Sequence, residues 1–277
     1  MKILNKKNRK LSFRTVIMSL VALCWVLPFF YPLMISLKPG SEVFRDVLAL
    51  PTKLEFSNYV LAWTKGKMGA ALFNTMVITV LTVLFLVLFG SACAYTIARK
   101  KGKIWNVIYL FFVVGTILPY KLGLLPTYVA FNQMNLTGSY LGIILLQMGI
   151  QMPITVFLYT GFVRALPTMY EEAAQIDGAS TLRIFTQIIV PLLSPVTATV
   201  VIQNGISVWN DFFLSLIFLG GSKKLPLSVT LYNYIGDNAT QWNLVFASVI
   251  LSLIPVMVLF LLLQNKMMKG FAGGIKG

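Results

Sequence analysis

EEAAQIDGASTLRIFTQIIVPLLSP, residues 171–195, gathers negative charge in a chain that has very little of it. Only 8 of the 277 residues are acidic, and Glu171, Glu172 and Asp177 place three of them within seven positions, between long apolar runs. Immediately upstream, Thr168-Met-Tyr-Glu171 follows Pro167 and matches the capping box, in which the first and fourth side chains satisfy backbone N–H groups at a helix start. The pattern predicts a helix from Thr168, with Glu171 and Glu172 in its first turns, where carboxylates suit the positive end of the helix dipole. Gly178 falls where a helix end calls for a left-handed residue. Ser180 can then cap a second helix, TLRIFTQIIV, stopped or bent at Pro191. The expected unit is helix, glycine turn, helix, lying along a membrane face. Two roles fit it: an interfacial helix with solvated charges, or a docking surface. The small pair Ala173-Ala174 favours docking, because a flat face lets a partner approach closely.

The rest of the chain explains why this connection stands out. Hydrophobic residues make up 57% and charged residues 11%, with a mean hydropathy of +0.81. A soluble domain carries roughly a quarter charged residues, so this is an all-α integral membrane protein. About 20 apolar residues cross the hydrocarbon core, and six stretches qualify: 15–37, 72–98, 104–125, 139–163, 190–219 and 243–263. The third carries Pro119 and Pro126, which bracket a break. The fifth carries Asn204, Asn210 and Asp211. The chain thus divides into an N-terminal segment with first span and external loop (1–71), a transmembrane core containing the loop 168–190 (72–263), and a tail (264–277).

Lysine and arginine collect at the cytoplasmic ends of membrane helices. Six lie in 1–14, four in 99–103 (Arg99 among them), two at Arg164 and Arg183, and three in the tail, so fifteen share one side against eight on the other. Both termini and the acidic connection are therefore expected in the cytoplasm. The same rule accounts for the net charge of +15 without nucleic acid as a partner. The apolar run after MKILNKKNRKLSFRT meets no small-residue cleavage site and reads as a retained span.

Several chemistries are excluded. No histidine is present, so there is no imidazole base, no His-ligated metal and no Ser-His triad. Cys24 and Cys93 lie in apolar runs and read as packing residues, neither a disulfide nor a zinc site. No phosphate loop of the GxxxxGK[ST] type occurs, and one acid, Asp211, falls within a predicted span. Ion-coupled carriers place ionisable groups near the midplane, so a transporter built this way draws its energy from another subunit. An ion-coupled carrier for a small polar solute and a membrane-embedded enzyme remain the alternatives.

Glu172-Ala173-Ala174, three residues, Gly178, nine residues, then Ile188-Ile189-Val190-Pro191 resembles the EAA motif of binding-protein-dependent ABC importer permeases, EAA-x3-G-x9-I-x-LP, with Val190 in place of leucine. ISLKP, AYTIARKKGK, LLPTY, WNDFF and the ending GFAGGIKG are similar to the carbohydrate branch, and in particular to the smaller permease subunit of maltose-type importers. The resemblance implies the type I ABC importer permease fold. It also implies a second homologous permease, two ATPase subunits that hold ATP and Mg, and an extracytoplasmic sugar-binding protein, in a bacterial plasma membrane. No cofactor is expected in this chain, and no metal. Glu171, Glu172, Ala173, Ala174, Asp177 and Gly178 would then form the loop that docks in the ATPase.

Two further features bear on a pore. Gln203, Ser207 and Asn210 recur at i, i+4 and i+7 and, with Asn204, form a polar stripe; Gln147 and Gln151 make a similar pair one span earlier. Amides and hydroxyls pair with sugar hydroxyls as donors and acceptors, and they equally bond helix to helix within a bundle. The tail beyond Gln264 has four glycines in its last eight residues and is not expected to pack as a helix; the family resemblance implies that it reaches the ATPase.

Overall fold

The computed structural model describes residues 13–45, 49–237 and 241–274, and among them all regular structure is helical. Thirteen α-helices are distinguished here: α1 Phe13–Ser36, α2 Ser57–Lys65, α3 Met68–Arg99, α4 Lys103–Ile117, α5 Leu124–Gln133, α6 Tyr140–Ala165, α7 Met169–Ile176, α8 Thr181–Ile184, α9 Val190–Leu192, α10 Ser194–Trp209, α11 Phe213–Leu219, α12 Leu227–Asp237 and α13 Trp242–Gly274. A π-helical turn, Phe185–Ile189, joins α8 to α9. The chain forms two compact units: Met1–Lys67 with Asn233–Ile254, and Met68–Tyr232 with Pro255–Gly277.

In the first unit α1 presents apolar side chains outward along most of its length. Its end is tied down by Asn58, whose Nδ2 donates to the Ser36 and Lys38 carbonyls at 2.9 Å each. Asn243 Nδ2 donates in turn to Asn58 Oδ1 at 2.9 Å. One buried amide therefore holds three segments in register, which satisfies groups that would be costly unpaired.

The second unit is built on α3, α6 and α10. Gly90 lets α3 approach α6 closely: a Cβ there would lie 2.5 Å from Thr155 Cγ2. Without a strong hydrophobic drive in lipid, small residues at such crossings supply the contact through close packing. Two apolar clusters fill the bundle. One joins Ala94, Tyr95, Val156, Tyr159 and Val163 to Ala174, Ile184 and Ile189 of the acidic connection. The other joins Ile78, Ile143 and Leu146 to Val208, Leu214 and Phe218.

Among the described residues, three helices are long and apolar enough to cross a membrane: Thr15–Ser36, Met68–Arg99 and Tyr140–Ala165. The third and fifth stretches are bent pairs, Lys103–Ile117 with Tyr120–Gln133 at 92° and Thr181–Leu192 with Ser194–Trp209 at 74°. The sequence marks both bends with prolines, although Pro126 lies inside α5 and breaks nothing. Stretch 190–219 is not one continuous helix. Pro191 and Pro195 withhold N–H groups around Leu193; α10 closes at Asn210, and Asp211 opens the next helix, α11, by accepting from Ser215 N at 2.9 Å and Ser215 Oγ at 2.7 Å. The tail expectation is corrected as well: α13 continues through Gln264 to Gly274. A glycine costs a helix only about 1 kcal/mol relative to alanine, which the preceding Gln-Asn-Lys-Met-Met-Lys run tolerates. Residues 1–12 and 275–277, with most of the basic cluster at the start and the last glycine, lie outside the described residues.

Candidate functional site

The acidic connection folds as helix, glycine turn, helix, but its first glutamate does not do what a capping box asks of it. Thr168 has helical angles, φ −71° and ψ −16°, and makes no side-chain cap; α7 begins at Met169. The Glu171 carboxylate turns inward instead. Arg99 Nε donates to Glu171 Oε1 at 2.7 Å, and Tyr95 Oη donates to Oε2 at 2.9 Å. Arg99 Nη2 also donates to the Leu166 carbonyl at 3.0 Å, just before α7. An N-cap contributes about 1 kcal/mol, whereas charge-assisted bonds in a desolvated site are roughly twice as strong as neutral ones. The tertiary partner takes the carboxylate.

The turn behaves as its sequence requires. Gly178 has φ +76°. Gly178 N donates to Gln175 O at 3.0 Å and Ala179 N to Ala174 O at 2.9 Å, the paired bonds of a Schellman motif. Ser180 Oγ accepts from Arg183 N at 3.4 Å and starts α8. Tyr95 packs against Phe185 with ring centroids 5.3 Å apart, so the end of α3 touches the connection on both sides of the turn.

Burial then sorts the predicted residues. Glu171 and Ala174 are buried; Glu172, Ala173, Asp177 and Gly178 are exposed. On α7, Met169, Glu172, Ala173 and Ile176 recur at i, i+3, i+4 and i+7 and form one outward stripe. It is unusually apolar for an exposed connection: Ile176 is 87% exposed, and Leu182 across the turn is 72% exposed. Sequence reasoning did not single out Met169, Ile176 or Leu182, and it missed Arg99 and Tyr95. Arg99 was counted only as an orienting charge.

The polar stripe on α10 is divided in the same way. Asn204 is buried and donates through Nδ2 to Thr155 Oγ1 of α6 at 2.9 Å. Gln147 is buried within the bundle. Gln203, Ser207 and Asn210 are exposed, and Gln151 Nε2 donates to Ser207 Oγ across the α6–α10 crossing. Asn210 closes α10, its Nδ2 donating to the Ile206 carbonyl at 3.0 Å. Between α3 and α10 lies a cavity of about 230 Å³, lined by Met76 and Thr79 from one helix and Gly205, Trp209 and Asn210 from the other. No group of three or more metal-ligating side chains occurs among the described residues.

Multiple apolar helices, a bundle with a polar seam and a connection with an open apolar face describe a multi-pass membrane protein. The chain belongs to the family of binding-protein-dependent transport system inner membrane components, which it matches over residues 3–270. It is 33% identical to the melibiose/raffinose/stachyose import permease protein MelC of Bacillus subtilis (strain 168), over 98% of this chain and 99% of that one. It is 34% identical to the probable starch degradation products transport system permease protein AmyC of Thermoanaerobacterium thermosulfurigenes, over 96% of each. In fold it is similar to a bacterial ABC transporter involved in the import of the acidic polysaccharide alginate, with a TM-score of 0.78 at 23% identity over 96% of this chain and 99% of that one. The chain is accordingly a transport permease component and not an enzyme, and the ion-coupled carrier is not favoured.

Proposed function

We propose that this chain is one of two homologous permease subunits, paired as a heterodimer, forming the pore of an ATP-driven importer for a sugar or oligosaccharide in a bacterial plasma membrane. Six spans cross the bilayer, and both termini lie in the cytoplasm. Two ATPase subunits, which hold the ATP and Mg, dock beneath the connection 168–190, and an extracytoplasmic binding protein delivers the cargo. The observation that carries this reading is the outward stripe of α7: Met169, Ala173 and Ile176 stand open on a connection that is itself pinned to the core. An exposed apolar face marks a protein or membrane contact, and the small Ala173 with its charged neighbours favours a protein. Glu172 and Asp177 rim the face. The carbohydrate cargo is supported by the relatives named for melibiose, raffinose, stachyose and starch products. Gln151, Gln203, Ser207 and Asn210 line the path, while Asn204 bonds α10 to α6.

Orientation is tested by Ser180→Cys in a background lacking Cys24 and Cys93. A membrane-impermeant maleimide should label it only after permeabilisation; labelling in intact cells would overturn the topology. Cargo is tested by deleting the permease and following uptake of labelled melibiose, raffinose and starch-derived oligosaccharides. Loss of one or more is expected, and unchanged uptake of all three would contradict the carbohydrate assignment.

A further inference from the structure

We infer that the Arg99–Glu171–Tyr95 cluster is the joint that carries movement of α7 into α3, so that Glu171 is a positioning residue for coupling and no part of the docking face. The inference rests on the docking reading of α7. Glu171 and Glu172 are neighbours in sequence yet occupy opposite surroundings: one is buried against α3, the other exposed. Side-chain exposure is 16% for Arg99 and 8% for Glu171, so a partner cannot reach this pair without dismantling it.

The end of α3 grips the connection at three places. Arg99 holds Leu166 O before α7, Arg99 and Tyr95 hold Glu171 within it, and Tyr95 packs on Phe185 after the turn. The Schellman turn between these points is backbone-bonded, so α7 and α8 move as one body with the end of α3. A bidentate carboxylate with two donors from one helix fixes orientation as well as distance, which a single neutral bond does not.

The consequence appears at the far end of α3. Thr79 lies twenty residues before Arg99, about 30 Å along the helix axis at 1.5 Å per residue. There α3 forms one wall of the cavity whose other wall is α10. The chain itself connects α10 to α7 through α8 and α9, whereas no short stretch of chain ties α3 to α7. The cluster supplies that second attachment. With it, displacement of α7 passes directly to both walls; without it, α10 still follows α7 through the chain, and α3 follows only through its packing on α6 and on the connection.

The test uses the assembled importer in nanodiscs, with Cys24 and Cys93 replaced and Asn210→Cys introduced as a reporter beside the cavity. Mg-ATP with vanadate traps the closed ATPase, and the modification rate of the introduced thiol by a thiosulfonate reads the cavity. With the cluster intact, trapping should change that rate by about fivefold or more, the lower end of ordinary site-to-site coupling. Glu171→Gln should retain the ATPase and trap as much nucleotide, while the rate changes by less than about twofold. Tyr95→Phe should fall between, and the exchange Arg99→Glu with Glu171→Arg should recover part of the response. A full response in Glu171→Gln would overturn the inference. So would loss of the ATPase from an intact permease pair carrying Glu171→Gln, because that places Glu171 on the docking face. If the Glu171→Gln pair cannot be recovered, Tyr95→Phe decides, and a full response there overturns the inference. Ala173→Trp is the separate control for docking: retention of the ATPase and of trapping would remove the docking reading itself.

Discussion

The acidic connection and the polar stripe of α10 share a plan, one inward polar residue flanked by outward ones, and differ in what the inward residue is. In the connection it is a carboxylate, Glu171, neutralised by an arginine from another helix. On α10 it is an amide, Asn204, bonded to a threonine hydroxyl. A charge buried without its partner is far more costly than an amide without one. The connection therefore has a fixed position relative to α3, while the stripe contributes adhesion of a kind found throughout membrane bundles. Rigidity is concentrated in the connection to which the proposed function assigns ATPase docking. The exposed members of each group, Glu172 and Ala173 in one and Gln203 and Asn210 in the other, are left available for contact.

Breaking the charged member should give the largest effect. Arg99→Ala leaves Glu171 as an uncompensated buried carboxylate, and the expected cost is about 3–5 kcal/mol. Thermal unfolding of the purified permease pair, followed by tryptophan fluorescence, would measure it. A cost no larger than that of Asn204→Leu would erase the distinction between the two regions.

Gly178→Val comes next. A side chain at φ +76° costs roughly 1 kcal/mol or more in backbone strain. No atom lies within 4 Å of the added Cβ, so the effect is conformational and not a clash. Gly178→Asn should accordingly be much milder, since asparagine visits the left-handed region. Equal destabilisation by both, in the same unfolding measurement, would point to something other than φ.

The amide region should respond least in stability and should separate by position. Asn204→Leu removes an interhelical bond, about 0.6–2 kcal/mol. Asn210→Leu removes only a bond within its own helix and should leave stability near that of the parent while slowing uptake of the transported sugar. Normal uptake in Asn210→Leu would remove that residue from the path.

What the sequence made legible follows the range of the interactions. Gly178 and Ser180 were read correctly because a left-handed C′ residue and an N-cap depend on the residues next to them. Thr168 was misread because the capping box competes with Arg99, a residue that is distant in sequence and that charge counting had assigned to orientation. The stripe on α10 was visible as a period, but a period cannot tell that Asn204 meets Thr155 while Asn210 meets only its own helix. The break of stretch 190–219 was half visible, in Pro191 and Pro195. Its second interruption depends on Asp211 capping α11, and a single acid among apolar residues does not announce that use. The helical tail shows the same limit: its glycines weaken a helix locally without ending it.

The central claim is that the outward stripe of α7 seats the ATPase while its inward glutamate holds α7 to the core. Co-purification of the ATPase with Ala173→Trp permease tests it most directly. Ala173 lies on the exposed face and bonds to nothing in the core, so the large side chain should leave the permease pair intact and remove the ATPase from it. Recovery of the ATPase at the parent's stoichiometry, with hydrolysis still stimulated by the binding protein, would contradict the account.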